Sequence, residues 1–408
     1  MVLRPLFTFL FLVIFSEIAS AQFIGYRIDN QNQKASFRFE LINNLIIVPV
    51  IVNDSVPMRF ILDTGVRTTL LTNENLDKLE VAFSRPVVIS GLGTAKEIKA
   101  YLASNVTLHL PGITGKGQTL IVLGEDYLNL QNHLGIEVHG VLGYDFFNHF
   151  IVQISYDRKL IHVYNKGHFK KGKKFTSFDL IIENGRPYID AEFIQLNGVK
   201  NSGRFLIDSG ASHSLLLETD KDSTLTIPEK TLNTIVGWGL GGEIEGELGR
   251  IKSFTLGAFE FNKVLASFVS GLQSPKLISG EARIGSIGGE LISRFTTVYD
   301  YSNSKLHIRR NNQFKRGFEY NLSGIDIIAS GKDFKTFTVV HVTEDSPASE
   351  AGVMRGDIII GINAKGSGWL TLDEINALFR SQIGTQINLI VMRDDSFQSF
   401  RFRLRRII

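Results

Sequence analysis

The 408-residue sequence predicts a mostly β protein, made of two copies of one lobe followed by a separate C-terminal domain. Strand-length segments rich in Val, Ile, Phe and Thr recur between Gly, Asn and Asp residues, whereas long runs at helical spacing are scarce. A hydrophobic fraction of 43% is typical of a folded chain. A repeat with an offset of 145 residues predicts the two lobes, because this period is too long for a solenoid and indicates a duplicated domain.

Each copy of the repeat centres on an aspartate that directly follows an apolar strand. Residues 60–65 read Phe-Ile-Leu-Asp-Thr-Gly, and residues 205–210 read Phe-Leu-Ile-Asp-Ser-Gly. A carboxylate at the end of a buried strand is costly to desolvate, so its occurrence twice indicates that Asp63 and Asp208 meet. Two facing carboxylates can share a proton, and one then acts as base while the other acts as acid.

The repeat extends well beyond the aspartates. A glycine-containing apolar segment begins 77 residues after each aspartate, at Gly140 and at Gly285. Each segment is followed by a predicted closing strand, at residues 160–163 and 306–308, and preceded by a glycine-spaced turn that predicts a hairpin. The turns contain Gly91 and Gly93 in the first copy and Gly237, Trp238 and Gly239 in the second.

These residues resemble the active site of two-lobed, pepsin-like aspartic proteases, and the short lobes are similar to a retropepsin half-molecule. The resemblance covers about residues 38–310 and rests on two Asp-Thr/Ser-Gly motifs in register. It implies a two-lobed β fold with one cleft between the lobes. It also implies that a water held between Asp63 and Asp208 attacks the scissile carbonyl of a polypeptide substrate, with neither a metal nor an organic cofactor.

The resemblance assigns supporting roles to the residues next to the aspartates. The hydroxyls of Thr64 and Ser209 would brace the two active-site loops, and the backbone amides of Gly65 and Gly210 would bond the carboxylates. The first lobe departs from the family pattern, because Val66-Arg67 follows the glycine where a small hydroxyl residue is usual.

The two glycine-spaced turns are candidates for hairpin flaps over the cleft, with a plain hairpin turn as the alternative. The candidate flap residues are Gly91, Gly93, Trp238 and Gly239. An aromatic side chain at a flap tip, such as that of Trp238, could cover a bound peptide. Asp145 and Glu290 follow the two glycine segments, and we expect them to support the site without taking part in the chemistry.

Composition argues against several other classes of function. A net charge of +3 and the lack of a basic, aromatic-interleaved face argue against binding to nucleic acid. The chain contains no cysteine, which excludes thiol nucleophiles and thiolate metal sites. The basic cluster at residues 166–174 lies between the two copies and is interpreted as a solvated linker.

The first residues have the features of an export signal. Arg4 supplies a positive charge, residues 6–15 an apolar core, and Ala19-Ser20-Ala21 a small-residue cleavage site. We expect a bacterial protein exported to the periplasm or secreted, with Gln22 as the first mature residue and no membrane span after cleavage. An uncleaved anchor is the alternative, although the apolar run is shorter than the usual span of about 20 residues.

The last ninety or so residues do not belong to the repeat. Residues 345–352 read Asp-Ser-Pro-Ala-Ser-Glu-Ala-Gly, and residues 354–363 read Met-Arg-Gly-Asp-Ile-Ile-Ile-Gly-Ile-Asn. These segments are similar to the PDZ domain appended to bacterial periplasmic proteases, over about residues 318–408.

A PDZ-like domain implies an extended or C-terminal peptide that binds by adding a strand to a sheet edge. We expect its groove between a strand at residues 338–342 and an amphipathic helix at residues 372–380, with the carboxylate-binding loop within residues 332–337. The alternative is a domain that only packs against the two lobes.

The sequence therefore predicts an exported aspartic endopeptidase whose PDZ-like domain recruits or positions polypeptide substrates. The expected organisation is a signal peptide over residues 1–21, lobe 1 over 22–165, lobe 2 over 175–310 and the PDZ-like domain over 318–408. A catalytically inactive, protease-like peptide-binding protein is the alternative from another class. An enzyme that stays latent until it is processed or its PDZ-like domain is engaged is a further one.

Overall fold

The computed structural model describes residues 23–72, 83–89, 91–92, 98–125, 129–272 and 283–408. The predicted fold class is confirmed, because β-sheets dominate and the helices are short. The expected signal peptide and the candidate flap residue Gly93 lie outside the described residues. Within these ranges, no helix has the length and apolar character needed to cross a membrane.

The first copy of the repeat forms a sheet whose strands run β1-β9-β6-β10-β5-β4-β8-β7, with β3 added beside β4. Its elements in chain order are Gly25–Ile28 (β1), Lys34–Arg38 (β2), Glu40–Ile42 (β3), Leu45–Val52 (β4), Val56–Leu62 (β5), Leu70–Leu71 (β6), Phe83–Ile89 (β7), Ile98–Leu110 (β8), Ile113–Leu123 (β9), Leu130–Leu134 (α1), Gly140–Leu142 (β10), Tyr144–His149 (α2), Ile151–Ser155 (β11) and Leu160–Tyr164 (β12).

The second copy repeats this plan, in a sheet ordered β18-β19-β22-β17-β23-β16-β15-β20-β21 with β14 beside β15. Its elements are Thr176–Asp179 (β13), Ile181–Glu183 (β14), Arg186–Ile194 (β15), Lys200–Ile207 (β16), Leu215–Glu218 (β17), Leu232–Gly239 (β18), Gly242–Arg250 (β19), Ser253–Leu256 (β20), Phe259–Asn262 (β21), Leu265–Val269 (β22), Arg283–Ile287 (β23), Gly289–Ile292 (α3), Phe295–Asp300 (β24) and Lys305–Arg310 (β25). Residues 170–174 of the basic cluster between the copies are exposed.

A third sheet joins the two lobes. Its order is β13-β25-β24-β11-β12-β2, and the lobes meet where β11 and β24 pair antiparallel, with Val152 opposite Tyr299. Strand β24 is buried along its whole length, which suits a strand with a partner on each edge at the junction of two lobes. The predicted closing strands are β12 and β25, so both belong to this shared sheet.

The C-terminal domain is a six-stranded sheet with two helices and its own apolar core. Its elements are Ile325–Ser330 (β26), Thr336–Val342 (β27), Pro347–Ala351 (α4), Ile358–Ile362 (β28), Lys365–Gly366 (β29), Leu372–Phe379 (α5), Gln386–Arg393 (β30) and Ser396–Arg403 (β31). Helix α5 begins after Thr371, which forms a capping box with Glu374, and buries Leu372, Ile375 and Phe379 on one face.

The prediction that the peptide-binding groove lies beside the strand at residues 338–342 is wrong. Strand β27 pairs with β26 along its length and with β28 at Phe337 and Thr338, so it is an inner strand. The strand at the sheet edge, and the one that packs beside α5, is β26. Residues 332–337, expected to form a carboxylate-binding loop, make the turn between β26 and β27 and the start of β27.

The C-terminal domain contacts both lobes. In lobe 1, the backbone amide of Asn43 donates to Asp373 Oδ1 over 3.1 Å, and Gly135 lies so close to α5 that a Cβ on it would be 2.7 Å from Leu372 Cβ. In lobe 2, Arg250 donates to the carbonyl oxygens of Phe318 and Ile408 over 2.9 and 3.2 Å. The side chains of Phe318 and Ile408 pack in the core of the lobes.

Candidate active site

The two aspartates are presented in the same way by their lobes. Strand β5 ends at Leu62, and the next backbone amide, that of Asp63, donates to the carbonyl of Leu142 on β10 over 2.9 Å. In lobe 2, the amide of Asp208 donates to the carbonyl of Ile287 on β23, also over 2.9 Å. The glycine segments identified 77 residues after each aspartate are therefore the strands that fix the aspartates in place.

The glycines of these segments are required by close backbone approach. A Cβ on Gly140 would collide with the carbonyl of Leu70, and a Cβ on Gly285 would collide with that of Leu216. These glycines belong to strands that are parallel to one neighbour, β5 or β16, and antiparallel to the other, β6 or β17. The repeated spacing therefore has a physical cause, since only glycine allows each strand to lie this close to its neighbours.

Four hydrogen bonds brace the two aspartate loops against each other. The Thr64 amide donates to Ser209 Oγ and the Ser209 amide donates to Thr64 Oγ1, each over 3.0 Å. The hydroxyl of Thr64 donates to the carbonyl of Ile207 over 2.6 Å, and that of Ser209 to the carbonyl of Leu62 over 2.9 Å. Both side chains are fully buried, so every bond of this brace forms away from water.

The two carboxyl groups lie against each other across the brace. The amide of Gly65 donates to Asp63 Oδ1 over 2.6 Å, and that of Gly210 donates to Asp208 Oδ1 over 3.1 Å. A Cβ on Gly65 would be 2.9 Å from Asp208 Oδ1, and one on Gly210 would overlap the Asp63 carboxyl. Each glycine therefore bonds its own aspartate and makes room for the other one.

Burial raises the pKa of both carboxyl groups of the pair. Burial raises the pKa of Asp63, and the negative charge of Asp208 raises it further. Burial also raises the pKa of Asp208, but Arg283 and Arg186 oppose the rise. The two carboxyls are hydrogen-bonded to each other, so the pair shares one proton and titrates as a unit. One acid and one base then face the same space.

Removing the brace should weaken both stability and activity. In Thr64→Val and Ser209→Ala, a buried amide of the opposite loop loses its acceptor, and an unsatisfied buried group costs about 1–3 kcal/mol. We expect a lower melting temperature and a lower kcat/KM for peptide cleavage in both variants. Ser212→Ala is the matched control, since it removes a hydroxyl of the same region outside the brace. Variants that melt and react like the wild type would show that the brace contributes nothing.

The surroundings of the two aspartates differ. In lobe 1, the two residues that follow the glycine are Val66 and Arg67. In lobe 2, Ser214 donates to Glu290 over 2.6 Å, and Arg283 forms a buried ion pair of 2.6 Å with Glu218. The site is thus asymmetric in charge, with more buried ionic groups on the side of Asp208.

Two residues that sequence reasoning missed connect the lobes beside the brace. Asn44, in the turn between β3 and β4, donates to the carbonyl of Ser212 over 3.0 Å. Arg186, at the start of β15, donates through Nε to the carbonyl of Gly65 over 2.7 Å. Asn44 lies in a hairpin turn, Asn43-Asn44, and Arg186 directly follows the equivalent turn of the other lobe, Asn184-Gly185. The repetition of this turn about 20 residues before each aspartate is the sequence feature that could have identified both residues.

The candidate flap residues meet between the lobes. The amide of Gly241, in the turn after Trp238 and Gly239, donates to the carbonyl of Leu92 over 2.8 Å. The ring of Trp238 contacts that of His133 of α1 in a tilted arrangement, with centroids 3.9 Å apart. Gly91 lies against Leu240 in the same contact.

Each hairpin also places one leucine against the other lobe. Leu240 of lobe 2 packs against an apolar cluster of lobe 1 that includes Ile98 and Leu123. Leu92 of lobe 1 packs against Leu216, Ile244 and Val269 of lobe 2. Leu92 and Leu240 therefore each pack in the opposite lobe.

Asp145 and Glu290 lie on α2 and α3, and neither contacts the aspartate pair. Glu290 accepts from Ser214 and lies 3.7 Å from Arg294, while burial raises the pKa of Asp145 and Arg67 lowers it. Among the described residues, no group of three or more His, Asp or Glu side chains is placed to hold a metal ion.

Comparison with known proteins finds two matching regions in the chain. A family model described as aspartyl protease matches residues 48–146 and, separately, residues 194–290. No curated protein matches the chain. The first matched region contains Asp63 with its brace and glycine segment, and the second contains the equivalent residues around Asp208. Both lobes of this protein are thus similar to aspartyl proteases.

Proposed function

We propose that this protein is an aspartic endopeptidase that hydrolyses polypeptides with a water activated by Asp63 and Asp208. The observation that carries this proposal is the reciprocal brace of Thr64 and Ser209, which holds two partly buried carboxyl groups in contact, with one proton between them. Such a pair supplies a base and an acid to the same reacting centre.

In the mechanism that we propose, the shared proton begins on Asp63 and Asp208 begins ionised. Ionised Asp208 takes a proton from a water as its oxygen bonds to the scissile carbonyl carbon, and protonated Asp63 gives its proton to the carbonyl oxygen. The tetrahedral diol then collapses: the C–N bond breaks as Asp208 passes its proton to the leaving nitrogen, and ionised Asp63 takes back the proton of one diol hydroxyl as the carbonyl forms again. Asp63 is then protonated and Asp208 ionised, as at the start of the cycle.

The test is digestion of a peptide library over pH 3–8, with the products identified by mass spectrometry. Exposed carboxyl groups are half-ionised at about pH 4. Because burial raises the pKa of both aspartates, the pair should keep its shared proton to a higher pH than an exposed carboxyl group does. We expect internal cleavage, with activity extending well above that value and falling at both extremes. Peptide binding without any cleavage at any pH would instead support the inactive, peptide-binding alternative.

We propose further that the C-terminal domain is PDZ-like and binds extended polypeptide at the edge of β26. The support is that β26 ends its sheet beside α5 and that α1 of lobe 1 already contacts this strand. A substrate segment would compete with α1, whose His133 ring contacts that of Trp238 in the lobe 2 hairpin. Hydrogen exchange of the β26 amides should slow when an unfolded substrate is added, and unchanged exchange would argue against this site.

We propose export to the periplasm or the medium, on the basis of the signal-like residues 1–21. The mass of the protein recovered from those fractions should correspond to a chain that begins at Gln22. Recovery of the full-length chain from the cytoplasm alone would contradict export.

A further inference from the structure

A cation from lobe 2 reaches the active-site loop of lobe 1. Arg186 Nε donates to the carbonyl oxygen of Gly65 over 2.7 Å. The amide of the same Gly65 donates to Asp63 Oδ1, and a Cβ on this glycine would be 2.9 Å from Asp208 Oδ1. Arg186 therefore holds one of the two glycines that lie against both aspartates.

The turn before Arg186 explains this reach. Asn184 and Gly185 have φ values of 51° and 74°, which makes a tight connection between β14 and β15. A Cβ on Gly185 would be 3.1 Å from Tyr144 Cγ and 3.2 Å from Arg67 Cγ, so the lobe 2 turn is pressed against lobe 1. The close approach delivers the half-buried Arg186 side chain across the boundary between the lobes.

The charges around the aspartate pair are few. Asp63 faces Asp208 and Arg186, whereas Asp208 faces Asp63, Arg283 and Arg186. Arg283 is ion-paired with Glu218, and Tyr299 and Tyr301 nearby are uncharged because burial raises their pKa. In the described part of the chain, no carboxylate lies within ion-pair distance of Arg186, which therefore contributes its charge to both aspartates.

We propose that Arg186 is a positioning residue of the active site: it anchors the Gly65 peptide and keeps a positive charge beside the aspartates, so that one of them stays ionised. The inference rests on the proposed peptidase function. Burial favours protonation of both carboxyls, and a doubly protonated pair has no base to activate water. The positive charge of Arg186 opposes this, since it lowers the pKa of Asp63 and of Asp208.

The direction of the expected pH effect follows from the charge. Without the cation, the pKa of each aspartate rises, so the pair binds its second proton at a higher pH. The acidic limb of the activity profile, where the doubly protonated form accumulates, therefore moves upward, and the basic limb moves with it. Loss of the Gly65 anchor alone would lower the rate but would leave both limbs in place.

The experiment compares Arg186→Gln and Arg186→Lys with the wild type, measuring kcat/KM on one peptide from pH 3 to 9. Glutamine keeps a donor for Gly65 without the charge, and we expect both limbs to rise by about half a pH unit or more, with about a tenfold lower kcat/KM at the wild-type optimum. Lysine keeps the charge and should retain the wild-type limbs. The control Arg27→Gln removes a cation from an exposed ion pair and should change nothing.

A second readout separates this inference from the peptidase function. Titration of the ¹³C-labelled aspartate carboxyls by NMR follows the pair whether or not the protein cleaves peptides. We expect the same upward shift in Arg186→Gln. If the wild type is inactive but the shift is seen, the proposed function fails and the role of Arg186 stands. The proposed role of Arg186 would be overturned if neither limb of the activity profile nor the carboxyl pKa values shift in Arg186→Gln. It would also be overturned if they shift equally in Arg186→Lys.

Discussion

Replacement of either Asp63 or Asp208 by asparagine should reduce peptide hydrolysis by about a thousandfold or more. Each aspartate needs the other, because one must accept a proton from water while the other donates one to the substrate, and general acid–base catalysis contributes about 10²–10⁴-fold. Asparagine keeps the size of the side chain but can do neither. The measurement is kcat/KM on a single peptide for both variants.

The same variants should remain folded. The amides of Gly65 and Gly210 still find an acceptor in the asparagine side chain, and the variant no longer has to hold a buried charge. We expect melting temperatures equal to or above that of the wild type. Asp145→Asn is the control, since this aspartate of α2 has Arg67 as its charged neighbour and lies outside the pair, and it should retain activity. Substantial turnover in either Asp63→Asn or Asp208→Asn would contradict the mechanism.

Removal of residues 312–408 should destabilise the two lobes. The truncation takes Phe318 and Ile408 out of the core of the lobes, at about 1.5–3 kcal/mol for each buried side chain. It also leaves the buried Arg294 without the carbonyls of Arg316 and Gly317 and without the Phe318 ring, 3.6 Å away, on which it stacks. We expect the melting temperature to fall by at least about 10 °C.

Rates on two substrates show what the C-terminal domain does. If it mainly positions the lobes, the truncated protein should cleave a short peptide and a long unfolded protein more slowly by the same factor. Asp373→Ala is a milder variant that removes one acceptor for lobe 1, and it should lower stability only slightly. An unchanged melting temperature with slower cleavage of the long substrate alone would contradict the structural role and leave only recruitment.

The aspartate pair could be predicted from the sequence because it depends on a repeat in register. The motifs around Asp63 and Asp208 are local, and the glycines at 140 and 285 are required by backbone contacts within each lobe. The expectation that Thr64 and Ser209 connect the loops came from the family resemblance, since nothing in one lobe's sequence indicates its distance from the other.

Features that depend on docking between lobes or domains were not predictable. Arg186 and Asn44 have their partners in the opposite lobe, and the hairpin turns that carry them form equally well when exposed. The prediction of a peptide groove beside residues 338–342 is wrong because the local periodicity of a sequence does not determine the order of strands in a sheet. The alternating burial of Ile325–Ser330 marks a half-buried strand, but it does not show which sheet edge that strand occupies.

Active-site titration tests the central claim most directly, namely that each chain forms one catalytic site from its own two lobes. A peptide analogue with a tetrahedral hydroxyl in place of the scissile carbonyl should bind between Asp63 and Asp208 far more tightly than a substrate. The account predicts a linear loss of peptidase activity that reaches zero at one inhibitor per chain. An end point at one inhibitor per two chains, or full activity with excess inhibitor, would contradict it.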